Sequence, residues 1–157
     1  MKFDYFDKTN VKLILNLTIK RQKYNIFASS NYNLMITKTI NTDDLISMII
    51  KGIEEVKGND IDILDLREID NTASDYFIIC SGNSNTQVNA IVGSVQKIVS
   101  KELKDKPWHI EGSDNAEWVL MDYVNVVVHV FQTHIREYYD IEGLWGDAKI
   151  TSIKTEY

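Results

Sequence analysis

The amino-acid sequence predicts an α+β domain of the two-layer α/β type, a mixed sheet of about five strands flanked by helices. Three observations point there. Residues 84–103 carry apolar side chains at helical spacing, and residues 76–80 (YFIIC) form a continuous apolar run that suits a central strand covered on both faces. Residues 117–131 hold two apolar strands around a short turn. With 157 residues, 44% of them apolar, the chain is long enough for one domain and too apolar for a disordered one.

Each element has a local cause. Thr42 is placed to cap a first helix whose first turn carries Asp43 and Asp44, favourable at the positive end of a helix dipole. Leu45, Met48, Ile49, Ile53 and Val56 follow at helical spacing, and Gly58 is a natural stop. A strand at residues 61–66 precedes the one at 76–80. The link of about nine residues is too short for a crossover helix, so this pair is expected to be antiparallel. Ser84 and Gln87 form an S-x-x-Q capping box at the start of the second helix. Val88, Ile91, Val92, Val95, Ile98, Val99 and Leu103 share one face of it, and Lys101, Lys104 and Lys106 gather at its negative end. Residues 107–111 read as a strand, which makes strand–helix–strand a right-handed parallel crossover. A turn at 112–116, a strand at 117–123, the Val124-Asn125 turn and a strand at 126–131 come next. A last helix is expected from Thr133 to Glu142, stopped by Gly143.

Composition narrows the function. The chain has 23 acids against 17 bases, a net charge of −6, which argues against generic binding to a phosphate backbone. No stretch is long and apolar enough for a membrane span. The single thiol, Cys80, cannot form an internal disulfide, and metal-type Cys/His spacings are absent, so a reducing compartment is expected. Charge is unevenly spread: residues 1–34 carry six bases and two acids, whereas residues 35–157 carry 11 bases and 21 acids, a net of −10. The first segment has no sustained period beyond residues 11–19 (VKLILNLTI). A disordered basic tail, an organelle-type leader and an upstream stretch included by too early a start codon all fit it. Asp4, Asp7 and the single Arg21 count against a leader. Met35, just before the first well-formed element, favours a later start and a domain of residues 35–157.

Few residues suggest chemistry. The SGNSNT turn at residues 81–86 offers free N–H groups to an anion, but it lacks the glycine pattern of phosphate loops, and a plain helix cap is the simpler reading. Asp62 and Asp65 differ in parity along a strand, so their carboxylates should face opposite sides and make no metal pair. His129 sits inside VVVHVF as a half-buried imidazole with a neighbouring hydrogen bond, and no nucleophile motif accompanies His109 or His134. Cys80 reads as a small buried hydrophobe. No catalytic residue, metal or cofactor is expected. The hairpin carries more: Trp118, Leu120 and Asp122 lie on one strand face, and Val119, Met121 and Tyr123 on the other. Both sets are largely apolar, so one meets the helices and the other needs further structure or a partner anchored by Trp118.

Three segments now carry a resemblance. ASDYFIICSGNSNTQVNAI (73–91), EGSDNAEWVLMDYVNVVVHVF (111–131) and REYYDIEGLWGDA (136–148) resemble, in order and spacing, the ribosomal silencing factor or Iojap-like family. The similarity covers roughly residues 42–148 and leaves out residues 1–34. It implies a fold similar to the nucleotidyltransferases, no known enzymatic activity, and a cytoplasmic protein, or an organellar one if residues 1–34 prove to be a leader. It also implies binding to the large ribosomal subunit through the ribosomal protein conventionally numbered fourteen. Bound there, such a factor blocks joining of the small subunit and lowers translation when nutrients are short. Trp118 and Asp122 match family positions, so Trp118, Leu120 and Asp122, with Glu117 at the rim, are the expected partner surface. Tyr138 and Tyr139 are expected at its edge, and Trp118→Ala is expected to weaken binding while sparing the fold. Two departures stand out. Relatives usually have Gly-Asp where Val124-Asn125 stands, and β-branched Val resists a left-handed backbone, so a wider or differently twisted turn is expected. Acids common after VVVHVF are replaced by Thr133 and His134. An assembly factor for the large subunit without silencing activity, a nucleotide-using enzyme of the similar fold, and a homodimer through a sheet edge or the hairpin are left open.

Overall fold

A computed structural model describes residues 40–70, 72, 74–155 and 157. The expectations for residues 1–34, the 11–19 run and Met35 lie outside the described residues. Residues 40–70 and 74–157 form one compact unit; the second unit, 1–39 with 71–73, is described only at Thr72.

The elements run α1 (Thr42–Glu55), β1 (Asn59–Asp65), β2 (Tyr76–Gly82), α2 (Asn85–Leu103), β3 (His109–Glu111), β4 (Trp118–Asp122), β5 (Val126–Gln132), α3 (Thr133–Tyr139), α4 (Ile141–Leu144) and β6 (Lys149–Ile153). They build a mixed α+β domain around a six-stranded sheet of order β3-β4-β5-β2-β1-β6. β1 and β2 are antiparallel, as their short link requires. β2 and β5 form the parallel pair, and β3-β4-β5 is antiparallel throughout. The β2–α2–β3 unit therefore does join strands of one direction, with β5 and β4 lying between them.

Helix ends follow local chemistry, with two corrections. Asn41, not Thr42, caps α1: its backbone is extended and its side-chain oxygen accepts the Asp43 N–H at 2.9 Å. At the other end Lys57 takes the left-handed conformation (φ 56°), while the N–H groups of Lys57 and Gly58 return to the carbonyls of Glu54 and Ile53. Gly58 serves close approach instead, because a Cβ there would collide with Ile53. Ser84 caps α2 as expected, accepting the Gln87 N–H at 3.2 Å, but the Gln87 side-chain Oε1 reaches past Ser84 to accept the Asn83 N–H at 2.8 Å.

α1 and α2 pack on one face of the sheet. Leu45, Ile49, Ile53, Val88, Ile91, Val95 and Val99 meet Ile78, Cys80, Val119, Met121, Val128 and Val130 in a single core. The helices approach closely at Gly52, where a Cβ would lie 2.7 Å from the Val95 Cα. On the opposite face, strand register sets Leu64, Phe77, Val127 and Asp122 in one row, and Asp62, Ile79, His129 and Leu120 in the next. The C-terminal segment caps part of this face: Trp145 meets Phe77 edge-on at 5.6 Å and Tyr139 lies 5.3 Å from Trp118.

The expected helix at 133–142 is interrupted. Asp140 adopts φ 44°, ψ 56°, ending α3, and its carboxylate then accepts the Gly143 N–H at 3.3 Å to start α4. β6 was not expected; four of its five residues are exposed, and the segment offers only Ile150 and Ile153 as strand signals. The turn is not wider than two residues, but it is differently twisted, the second of the two alternatives expected. Tyr123 N–H bonds to the Val126 carbonyl at 2.9 Å, so only Val124 and Asn125 lie outside the pairing, and Val124 accepts φ 75°. The Asn125 N–H reaches back to the Tyr123 carbonyl at 3.0 Å, the i→i+2 bond of a γ-turn, a strained arrangement for a β-branched residue.

Candidate functional site

β4 and β5 present the residues singled out in the sequence. Trp118 is nearly covered, with 6% of its surface exposed, and Leu120 retains 1%. The indole stacks on Phe131 at 4.8 Å, its cross-strand partner in the register, and its N–H donates to Nδ1 of His129 at 3.2 Å. That bond fixes the tautomer: with Nδ1 accepting, the proton sits on Nε2, which has no hydrogen-bond partner among the described residues. Burial pushes His129 down to about 3, so the imidazole is neutral at ordinary pH. The sequence placed a half-buried imidazole here; it is fully buried, packed edge-on against Phe77 at 4.7 Å.

Glu117 and Asp122 bound this strand and remain accessible to different degrees. Glu117 is exposed, and Asp122 is half-buried. The Asp122 carboxylate accepts the Val124 N–H at 2.7 Å, and its backbone carbonyl accepts the Trp108 N–H at 2.7 Å. Tyr138 is exposed and stands perpendicular to half-buried Tyr139 at 5.1 Å. The hairpin thus brings Trp118, Leu120 and Asp122 together on one face, with Tyr139 against Trp118 and Tyr138 against Tyr139.

A second cluster was invisible in the sequence. Arg136 of α3 donates to Asp62 and to Glu142 at 2.6 Å each, to Ser81 Oγ at 3.1 Å, and to the Asp60 carbonyl. It borders a cavity of about 290 Å³ also lined by Ser81, Thr133 and Asp140. Partners 74 positions apart in the chain carry no local signal, so only the fold brings them together. With its guanidinium so engaged, Arg136 fastens α3 and α4 to β1 and β2.

The other residues weighed for chemistry fall where parity and capping put them. Asp62 and Asp65 face opposite sides, and Asp65 is instead bound by Arg67 at 2.6 Å, which lowers its pKa below the usual carboxylate range. The Asn83 N–H of the 81–86 turn and the Gln87 N–H just beyond it are both spent on the helix cap. Cys80 is buried, and desolvation pushes its thiol up to about 12, leaving it protonated. Among the described residues no group of three or more His, Cys, Asp or Glu gathers as a metal site, and no helix is long and apolar enough to cross a membrane.

Comparison with known proteins gives this arrangement a context. Residues 39–156 match the family described as ribosomal silencing factor during starvation. The chain is similar to a ribosomal silencing factor of Bacillus subtilis, 39% identical over 114 residues, covering 73% of this chain and 95% of that one. A crystal structure of a Chromobacterium violaceum protein superposes with a TM-score of 0.64 at 38% identity, covering 68% of this chain and 88% of that one. A mouse protein named for mitochondrial assembly of the ribosomal large subunit is 31% identical over 103 residues, covering 64% of this chain and 44% of that one. By that match over most of its length, the chain belongs to the ribosomal silencing factor family.

Proposed function

We propose that this protein binds the large ribosomal subunit through the basic ribosomal protein numbered fourteen and obstructs joining of the small subunit, lowering translation when nutrients are short. Family membership supports a ribosome-directed role, and the charge supports the choice of partner. Residues 35–157 carry a net of −10, which repels ribosomal RNA and attracts a basic protein. Obstruction needs a firm patch and bulk in the right place, with no bond made or broken. A patch of about 800 Å² per partner is the usual scale for such contacts.

The hairpin is the surface we assign to the partner. Glu117 and Asp122 supply reachable carboxylates, Trp118 and Leu120 shape the strand from beneath, and Tyr138 and Tyr139 form its edge. Subunit joining tests this reading. Purified small and large subunits mixed with the wild-type chain should fail to form the joined particle, and Glu117→Lys with Asp122→Lys should restore joining. A chain that does not sediment with large subunits at low ionic strength would refute it. The name of the mouse relative favours a second reading, assembly of the large subunit without silencing. In that case depletion of the protein would accumulate incomplete large particles, while joining of finished subunits would proceed.

A further inference from the structure

We propose that Arg136 is a positioning residue for the partner face: by tying α3 to β1 and β2 it sets Tyr139 on Trp118, and so fixes the surface that β4 offers. The inference rests on the hairpin surface assigned above and adds to it the group that holds it in shape from the β1–β2 side.

α3 cannot place itself. It has seven residues, none of them buried, and Gln132 gives its first turn no side-chain hydrogen bond. A helix that short has no independent stability, so contacts outside it decide where it lies. Ile141, 1% exposed, holds α4, but it lies beyond the break at Asp140. Arg136 and Tyr139 tie α3 itself down, three positions apart and therefore neighbours on the helix surface. Thr133 adds weaker bonds, at 3.4 Å, to the Gly82 carbonyl and to Asn83.

Strand register puts Arg136 and Tyr139 over one row of the sheet. Ser81, Phe131 and Trp118 pair in sequence across β2, β5 and β4. Arg136 donates to Ser81 Oγ at 3.1 Å at one end of this row, and Tyr139 lies 5.3 Å from Trp118 at the other. The guanidinium also binds Asp62 and the Asp60 carbonyl on β1, and Glu142 on α4. None of these partners is on β4, and the Arg136 side chain is only 12% exposed, so its hold on the hairpin passes through α3. A planar guanidinium suits that task, because its rigid fork meets acceptors from two strands and a second helix at once, which a compact ammonium does poorly.

The test uses the full chain with large ribosomal subunits as the probe, at a temperature where urea melts show each variant folded. The Trp118 indole N–H resonance, assigned with Trp118→Phe, reports the seat of Tyr139, and co-sedimentation reports binding. Arg136→Ala and Tyr139→Ala should each shift that resonance and weaken binding about tenfold. The double variant should lose about as much as either single one, instead of the roughly hundredfold expected of independent residues. Arg136→Lys keeps the charge, so it serves even where Arg136→Ala loses the fold, and it should fall between wild type and Arg136→Ala. Arg67→Ala, which removes the ion pair with Asp65 on the other face, should change neither readout. An unmoved Trp118 resonance in both Arg136 variants, wild-type binding by both, or losses that multiply in the double variant would overturn the positioning role while leaving the proposed function intact. A wild-type chain that ignores large subunits overturns both.

Discussion

Trp118→Ala separates a structural residue from a contact residue, and the geometry sets the size of its effect. The indole is 6% exposed, stacked on Phe131 at 4.8 Å and covered by Tyr139 at 5.3 Å. Truncating a buried tryptophan to alanine costs about 3–5 kcal/mol, from lost transfer energy and the cavity left behind. A further loss falls on His129. Its Nε2 has no partner among the described residues, and without the indole N–H its Nδ1 is also left unsatisfied, worth about 1–3 kcal/mol. Against a typical domain stability of about 5–15 kcal/mol, the variant is severely weakened. For a domain of this size the packing loss alone lowers the melting temperature by roughly 12–20 °C. Circular dichroism melts checked against urea midpoints would measure it, with Trp118→Phe as the control that keeps the stack and loses only the hydrogen bond. A Trp118→Ala melt within 2–3 °C of wild type, roughly the shift of less than 1 kcal/mol, would refute the burial argument. The expectation that this substitution spares the fold is thereby corrected: lost ribosome binding by Trp118→Ala cannot locate the contact unless the melt is intact.

Other perturbations follow from the same packing. Val124→Gly relieves a left-handed β-branched residue, worth about 1–2 kcal/mol, less the entropy glycine adds to the unfolded chain, so stability should rise by about 1 kcal/mol; an unchanged or lower urea midpoint would contradict the strain. Arg136→Ala leaves Asp62 and Glu142, only 19% and 18% exposed, without their cation, and should cost about 2–4 kcal/mol with loss of amide-exchange protection in α3 and α4. His129 gives a pH dependence of definite sign. Its folded value of about 3 lies below the ordinary imidazole value of 6.5, so stability is full above pH 6.5 and falls as the pH drops toward 3. By pH 5 this one group removes about 2 kcal/mol, and His129→Phe should flatten that part of the profile; equal slopes in both proteins would rule it out.

How much of this was legible in the sequence depended on how local each cause is. α2 was readable because its cap and its stripe from Val88 to Val99 are set by neighbours within one or two turns, and all six predicted core positions through Val99 are buried. The antiparallel β1–β2 pair was readable from the short link between them. β6 was not, because an edge strand with one face in water needs little apolar patterning. The break at Asp140 was missed because the residues on both sides favour helix, and only the side-chain capping of Asp140 tips the balance. For the site, strand parity correctly grouped Trp118, Leu120 and Asp122, but alternation alone gives no means of telling a face covered by a distant aromatic from one open to a partner. Arg136 joins β1, β2 and α4, and no short window contains its partners.

Two of the positions where this chain breaks local rules meet at one residue. A valine with positive φ and a tryptophan left mostly in water are each unfavourable alone, and both are tied to Asp122 by 2.7 Å bonds. Sequences that fold well are consistent from propensity to packing, and departures concentrate where something other than stability is being served. Two departures bonded to one residue, Trp108 through its backbone carbonyl and Val124 through its carboxylate, at the end of the strand assigned to the partner, are better explained by one demand than by two unrelated defects. That argument makes Asp122 the joint to break. Asp122→Asn keeps both hydrogen-bond acceptors and removes the charge, while Asp122→Ala removes the side-chain acceptor and frees Val124. If the carboxylate acts through its charge, both variants weaken binding alike; if it acts by holding the tip, only Asp122→Ala does.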